Sequence, residues 1–150
     1  MWPVILYGER IELRPPQFRN KNRWNSVRAE NKEWLTPWEA TFPVIPDHIS
    51  HDELRKSSFR QMVRSIHASA RDGSSYSYFI WKENNLIGQI TLGGVILGAL
   101  RGGHIGYWID RNYANQGLTT EAVEVLTRFA FEGLGLHRLE IAVRPANGAS

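Results

Sequence analysis

Residues 102–123 read GGHIGYWIDRNYANQGLTTEAV, and the way this stretch folds decides the fold of the chain. Its first part, GGHIGYWID, alternates as a β-strand does. From Gly117 onward the period changes: Leu118, Ala122, Val125, Leu126, Phe129 and Ala130 recur at helical spacing. The residues between are small and polar. The stretch therefore predicts a strand that turns through a tight loop into the start of a helix. A helix opens with backbone N–H groups that have no internal partner, and its dipole is positive there. Gly117 carries no side chain and can adopt positive φ. Asn115, Gln116, Thr119 and Thr120 add hydrogen-bonding groups, and no carboxylate comes before Glu121. Such a corner suits a phosphate or pyrophosphate. It also suits a plainly capped helix, which the pattern by itself favours. The loop has neither the Gly-Lys-Ser/Thr of a Walker sequence nor the three glycines of a dinucleotide fingerprint.

Working outward, LYGERIELRPP alternates from Leu6 to Leu13 and predicts one strand, ended by Pro15-Pro16. Residues 19–35 predict a helix with Trp24, Val27, Asn31, Trp34 and Leu35 near one face, stopped by Pro37. The prolines of PWEATFPVIP keep a loop extended. Asp47 is positioned to cap a second helix, whose apolar face includes Phe59, Met62, Val63, Ile66 and Ala70. DGSS at 72–75 breaks it. YSYFIWKE and NLIGQITLGGVIL predict a hairpin turning near Asn84-Asn85. GALRGG is a second turn, and RLEIAVRP a last strand. The order β-α-α-β-β-β-α-β predicts an α+β domain, with helices packed on a mostly antiparallel sheet. Its final strand–helix–strand unit should be a right-handed parallel crossover.

The 150 residues suit one domain with one core. Hydrophobic content of 42% and charged content of 22% are ordinary for a globular protein. No apolar run is long enough to span a bilayer, and MWPVILYGERIEL has no positive region before its apolar part, which argues against a signal peptide. Without cysteine there are no disulfides, no thiolate zinc sites and no acyl-cysteine intermediate. This fits a reducing cytoplasm. A net charge of +3 mildly favours anionic ligands and is too small to imply nucleic acid.

LRPP after a first strand, W…VRAENKEWLTPWE, GHIGYWIDRNYANQGLTTEAV and RLEIAVRPANGAS occur in an order that resembles the GNAT N-acetyltransferase superfamily. They look most like its Rim-type branch, which acetylates ribosomal-protein N-termini. The resemblance implies the GNAT fold: a mostly antiparallel twisted sheet with helices on both faces. It also implies acetyl-CoA as cosubstrate, with no metal. In the family a Gln/Arg-x-x-Gly-x-Gly/Ala loop wraps the pyrophosphate of coenzyme A. Here those positions are Ala114, Asn115, Gln116, Gly117, Leu118 and Thr119. The central glycine is kept, and Ala114 replaces the polar first residue. By the same resemblance, Ile105–Asp110 forms one wall of the cofactor cleft. Backbone groups near Trp108 and Ile109 would hold the pantetheine amides, and an N–H there could face the thioester oxygen. Asn147 matches an asparagine that touches the cofactor, and Ser150 a serine placed to protonate the departing thiolate.

Acetyl transfer needs a neutral amine. An α-amino group, with pKa near 8, is roughly a tenth neutral at pH 7, whereas a lysine is neutral below about one part in a thousand. An N-terminal substrate therefore needs only a weak base or a water chain. His104 is the nearest ionisable group before the cleft strand, with Glu33 and Glu39 as distant candidates. The plainer reading of His104 is an exposed strand-end histidine. Trp24 and Trp34 read as packing residues. Trp38 and Glu39 follow a proline on a loop and are candidates to face a cationic peptide amine. Lys56, Arg60, Arg64, His67 and Arg71 form a stripe on the second helix, read as a solvated face.

The resemblance also implies a helix and two strands after Asn-x-x-Ser, whereas this sequence stops at Ser150. Residues 1–150 then form a single acetyltransferase domain without those C-terminal elements, completed by further chain or by exchange with a second subunit, or left as a fold without full activity. The expected function is acetyl-CoA-dependent transfer to a protein N-terminal α-amine, of a ribosomal protein in the Rim-type case, by direct ternary complex. The competing readings are acetylation of a small amine such as a polyamine or aminoglycoside, and a noncatalytic RNA- or protein-binding module.

Overall fold

The computed structural model describes residues 2–32, 51–96 and 102–141, with only the backbone of 51–58 and 96. One sheet of six strands organises them. Its strands run in sequence order: β1 (Leu6–Tyr7), β2 (Glu12–Arg14), β3 (Tyr76–Lys82), β4 (Asn85–Ile96), β5 (Gly102–Ile109) and β6 (Arg138–Ile141). Neighbours pair antiparallel from β1 to β5, and β5 pairs parallel with β6. Helices α1 (Lys21–Glu30) and α2 (His51–Asp72) come between β2 and β3, and α3 (Leu118–Arg128) links β5 to β6. The expected α+β architecture, with its mostly antiparallel sheet and terminal parallel crossover, is the one observed.

The first strand differs from expectation. The alternation from Leu6 to Leu13 is cut into a hairpin, with Leu6 opposite Leu13 and Tyr7 opposite Glu12. A Gly8 N–H donates to the Ile11 carbonyl at 2.8 Å, which closes the turn. A Cβ at Gly8 would come within 2.6 Å of Glu121 Oε2, so a side chain there would displace that carboxylate. A contact to α3 outweighs local periodicity, and alternation could not reveal it.

Period-two alternation divides the sheet into two faces. Phe79, Trp81, Leu86 and Trp108 pack with Val27 of α1 and Phe59 and Val63 of α2. Tyr78, Ile80, Ile90, Leu92, Ile105, Tyr107 and Ile109 point the other way and pack with Leu118, Ala122, Val125 and Leu126 of α3. Helices thus cover both faces, as predicted. The hairpin between β3 and β4 turns at Glu83-Asn84, with Glu83 at φ 57°. β4 and β5 approach so closely that a Cβ at Gly88 would lie 2.4 Å from the Trp108 carbonyl oxygen.

Trp24 is a packing residue, as expected: its ring lies 5.6 Å from Phe59. Arg60, Arg64 and Arg71 are exposed, in keeping with a solvated face. His67 departs from that stripe. It is half-buried, its Nδ1 accepts from Trp2 Nε1 at 3.0 Å, and its Nε2 lies 2.7 Å from the Pro16 carbonyl. The N-terminal tryptophan draws it inward, which helical spacing could not show. Trp34 and Asp47 lie outside the described residues.

Candidate active site

β5 leads into the loop through a knot of polar groups. Asp110 is buried, and its Oδ1 accepts from the Asn112 N–H at 3.0 Å and from Asn31 Nδ2 at 3.1 Å. Asn31, just past the end of α1, also donates to the Val27 carbonyl at 2.8 Å, and its Oδ1 accepts from the Arg111 N–H at 2.8 Å. These bonds join α1 to the end of β5 and set the direction in which the chain leaves the strand. A 3₁₀ turn, Arg111–Tyr113, follows. Asn115 and Gly117 then take the left-handed conformation at φ 64° and 75°. Gln116 Nε2 donates back to the Asn112 carbonyl at 3.1 Å, which closes the loop on itself.

Gly117 is the N-cap of α3, and its carbonyl accepts the first helical bond, from Glu121 N–H at 3.1 Å. Among the described residues, the N–H groups of Gly117, Leu118, Thr119 and Thr120 have no acceptor, as expected for an opening helical turn. Asn115, Gln116, Gly117 and Thr120 are exposed. Leu118 and Thr119 are buried, so their side chains belong to the core. The hydroxyl contribution expected of Thr119 therefore falls to Thr120. The result is a short row of amide donors at the positive end of a helix, exposed at Gly117 and Thr120.

Glu121 sits one turn in. Its Oε2 accepts from the N–H groups of Arg10 and Ile11, at 2.7 and 3.0 Å, and its Oε1 pairs with Arg10 Nε at 2.9 Å. Partial burial acts to raise its pKa, but the hydrogen bonds from Arg10 and Ile11 and the Arg10 charge outweigh that and hold it below the usual glutamate value. Arg10 Nη1 and Nη2 reach the carbonyls of Gln116 and Gly117. Sequence inspection missed Arg10. It lies 106 residues from Gln116, and no local pattern links the two.

Trp108 is fully buried, and its Nε1 donates to Gln89 Oε1 at 3.2 Å. Its side chain is closed to a ligand. Ile109, also buried, pairs with Gly88 of β4. His104 is exposed and lies opposite Gly93 on β4 and Glu140 on β6. Its ring covers Gly93 and Gly94, where an added Cβ would come within 3.1 and 2.8 Å. Four residues of strand, about 13 Å, separate it from Trp108. Ile109 packs in the same core as Leu118 at the helix tip, Trp108 faces α1 and α2, and His104 lies at the other end of β5. Trp38, Glu39, Glu33, Asn147 and Ser150 lie outside the described residues. Among the described residues, no group of three His, Cys, Asp or Glu could hold a metal ion, and no helix is long and apolar enough to cross a membrane.

A strand that runs through a left-handed glycine into an amide-rich helix tip, on a sheet with one parallel pair, defines a GNAT-type acetyltransferase architecture. Residues 10–150 match the family described as the acetyltransferase (GNAT) domain, and the chain belongs to that family of acyltransferase enzymes. It is 28% identical to the probable N-acetyltransferase YjcK of Bacillus subtilis, over 95% of this chain and 76% of that protein. It is 26% identical to the [ribosomal protein uS5]-alanine N-acetyltransferase of Escherichia coli, over 98% of this chain and 73% of that one. The solved structure of Mycobacterium smegmatis RimJ in complex with CoA-disulfide superposes with a TM-score of 0.79 at 28% identity, covering 97% of this chain and 70% of that one. The relatives include Rim-type ribosomal-protein acetyltransferases, as the sequence suggested.

Proposed function

We propose that the chain transfers an acetyl group from acetyl-CoA to the α-amine of a protein N-terminus, with a ribosomal protein as the acceptor class. The observation that carries this reading is the row of N–H donors without acceptors from Gly117 to Thr120 after β5, exposed at its two ends, Gly117 and Thr120. A diphosphate matches it: the donors are backbone groups at a helix N-terminus, and the nearest carboxylate, Glu121, is already neutralised by Arg10. The similarity to RimJ, whose structure holds a CoA-disulfide, supports coenzyme A as the owner of that diphosphate. The similarity to the uS5-alanine N-acetyltransferase supports an N-terminal acceptor.

In this reading Asn115–Thr120 hold the diphosphate, and the backbone of Trp108 and Ile109 aligns the pantetheine arm. Asn147 contributes a further cofactor contact, Ser150 delivers a proton to the leaving thiolate, and Trp38 and Glu39 face the acceptor. With no cysteine in the chain to carry an acyl group, transfer is direct. An α-amine, about a tenth neutral at pH 7, needs no strong base, so His104 acts at most as a relay.

Calorimetric titration of the full chain with acetyl-CoA should give saturable binding, and absence of heat at high micromolar ligand sinks the proposal. Peptides beginning with Ala or Ser, offered beside spermidine and an aminoglycoside with labelled acetyl-CoA, then identify the acceptor. Label on the small amines alone would reject the N-terminal assignment.

A further inference from the structure

Arg10 stands on the turn between β1 and β2, and acetyl transfer as described above makes no use of it. Yet all three of its guanidinium nitrogens are committed to the loop and its helix. Nε meets Glu121 Oε1 at 2.9 Å, Nη1 donates to the Gln116 carbonyl at 2.9 Å, and Nη2 to the Gly117 carbonyl at 3.2 Å. The main chain of the same turn is fastened too, since the N–H groups of Arg10 and Ile11 both donate to Glu121 Oε2. The arginine side chain is 49% exposed and the Glu121 side chain 12%, so as an ion pair alone the contact adds little to stability.

Its geometry does something more specific. In a trans peptide the N–H points opposite to the C=O of the same unit. Fastening the Gln116 and Gly117 carbonyls to the guanidinium therefore turns the Gly117 and Leu118 N–H groups to the side away from Arg10. There they join the open amides of the first helical turn. The charge matters as well. Glu121 is the acidic residue in the first turn of α3 and would repel an incoming phosphate. Arg10 cancels that charge at contact distance. Glu121 in return holds the arginine in place.

We propose that Arg10 and Glu121 form a positioning pair that pre-organises the loop for the diphosphate of coenzyme A, an inference that rests on the cofactor assignment above. Arg10 acts through the backbone it orients, because its nitrogens are occupied by protein acceptors. Pairing also explains how a helix tip with a glutamate in its first turn can serve an anion.

The test uses two acetyl donors on the full chain: acetyl-CoA, and S-acetylpantetheine, which lacks the diphosphate. For Arg10→Ala, affinity for CoA should fall about tenfold, the loss expected from an unshielded carboxylate and disordered donors. The kcat/KM with S-acetylpantetheine should stay within about twofold of the parent, well inside that loss. Adding Glu121→Gln to Arg10→Ala should recover part of the CoA affinity by removing the exposed charge. Arg10→Lys keeps the charge but not the fork, and should fall between parent and alanine variant. It also serves if the alanine variant does not fold. Equal losses with both donors, or CoA binding by Arg10→Ala within about twofold of the parent, would overturn the positioning role. Failure of the parent to bind CoA at all would instead remove the cofactor assignment, and this inference with it.

Discussion

At Gly117 the left-handed backbone disfavours any side chain, and the arginine beside it crowds one. Its φ is 75°, and an added Cβ would sit 3.3 Å from Arg10 Nη2. Gly117→Ala should cost about 1–2 kcal/mol from the backbone alone, lowering Tm by roughly 3–6 °C. Calorimetry should show weakened CoA binding in the same variant, because alanine strains the left-handed turn and crowds Arg10. The sequence pattern marks this glycine as the start of a helix, and the family resemblance adds the loop to it. Tyr78 makes the contrasting case. It is fully buried, and among the described residues its hydroxyl has no hydrogen-bond partner. Burial, with a smaller contribution from Tyr76, drives its pKa well above the ordinary tyrosine value. A desolvated, unpaired hydroxyl costs about 1–3 kcal/mol, so Tyr78→Phe should leave Tm unchanged or raise it. A clear fall in Tm in thermal denaturation would mean that the hydroxyl has a partner in the folded chain. Nothing in YSYFIWKE distinguishes this tyrosine from its neighbours, because burial of one hydroxyl is decided by Trp2, Phe129 and the rest of the face around it.

The elements most readable from sequence were those with a strong period and a marked end. The β3–β4 hairpin, the amphipathic α3 and the break at Gly73 all lie where the pattern puts them. The failures came where an element is shaped by a distant one. The single strand expected from Leu6 to Leu13 became a hairpin because Glu121 binds the backbone of its turn. The junction of α1 with β5 was equally hidden. Asn31 looked like one more residue near an apolar face, yet it is buried and bonded to Asp110 and to the Arg111 N–H. Asn31→Ala would leave that N–H and one lone pair of the Asp110 carboxylate without partners. The expected cost is about 2–3 kcal/mol in a denaturant titration. Slack at the strand end should also weaken CoA binding, although Asn31 is not part of the loop.

For the whole molecule, Glu121 ties folding to pH in a definite direction. Its folded-state pKa is lowered, so its contribution is present above the ordinary glutamate value and disappears as pH falls through the folded one. Glu121→Gln should therefore be less stable than the parent near neutrality, by a margin that holds down to about pH 5 and narrows below about pH 4. Urea titrations at stepped pH would read this directly, and a margin that widened in acid would contradict it. At this scale the family and the α+β class could be read from four short motifs, and so could the loop that ends β5, whereas the sixth strand could not. The clamp across it could not, because it joins the beginning of the chain to α3.

Arg28 lies 5.2 Å from the ring centre of Trp24 and 5.2 Å from that of Trp108, whose indole N–H is bonded to Gln89. A cation beside an excited indole shifts its emission, and Trp108 belongs to the strand that leads into the loop. In the proposed function, cosubstrate docking along that strand should thus change the protein's own fluorescence. The fold would then carry a built-in optical gauge of occupancy, readable in a stopped-flow instrument without any attached dye.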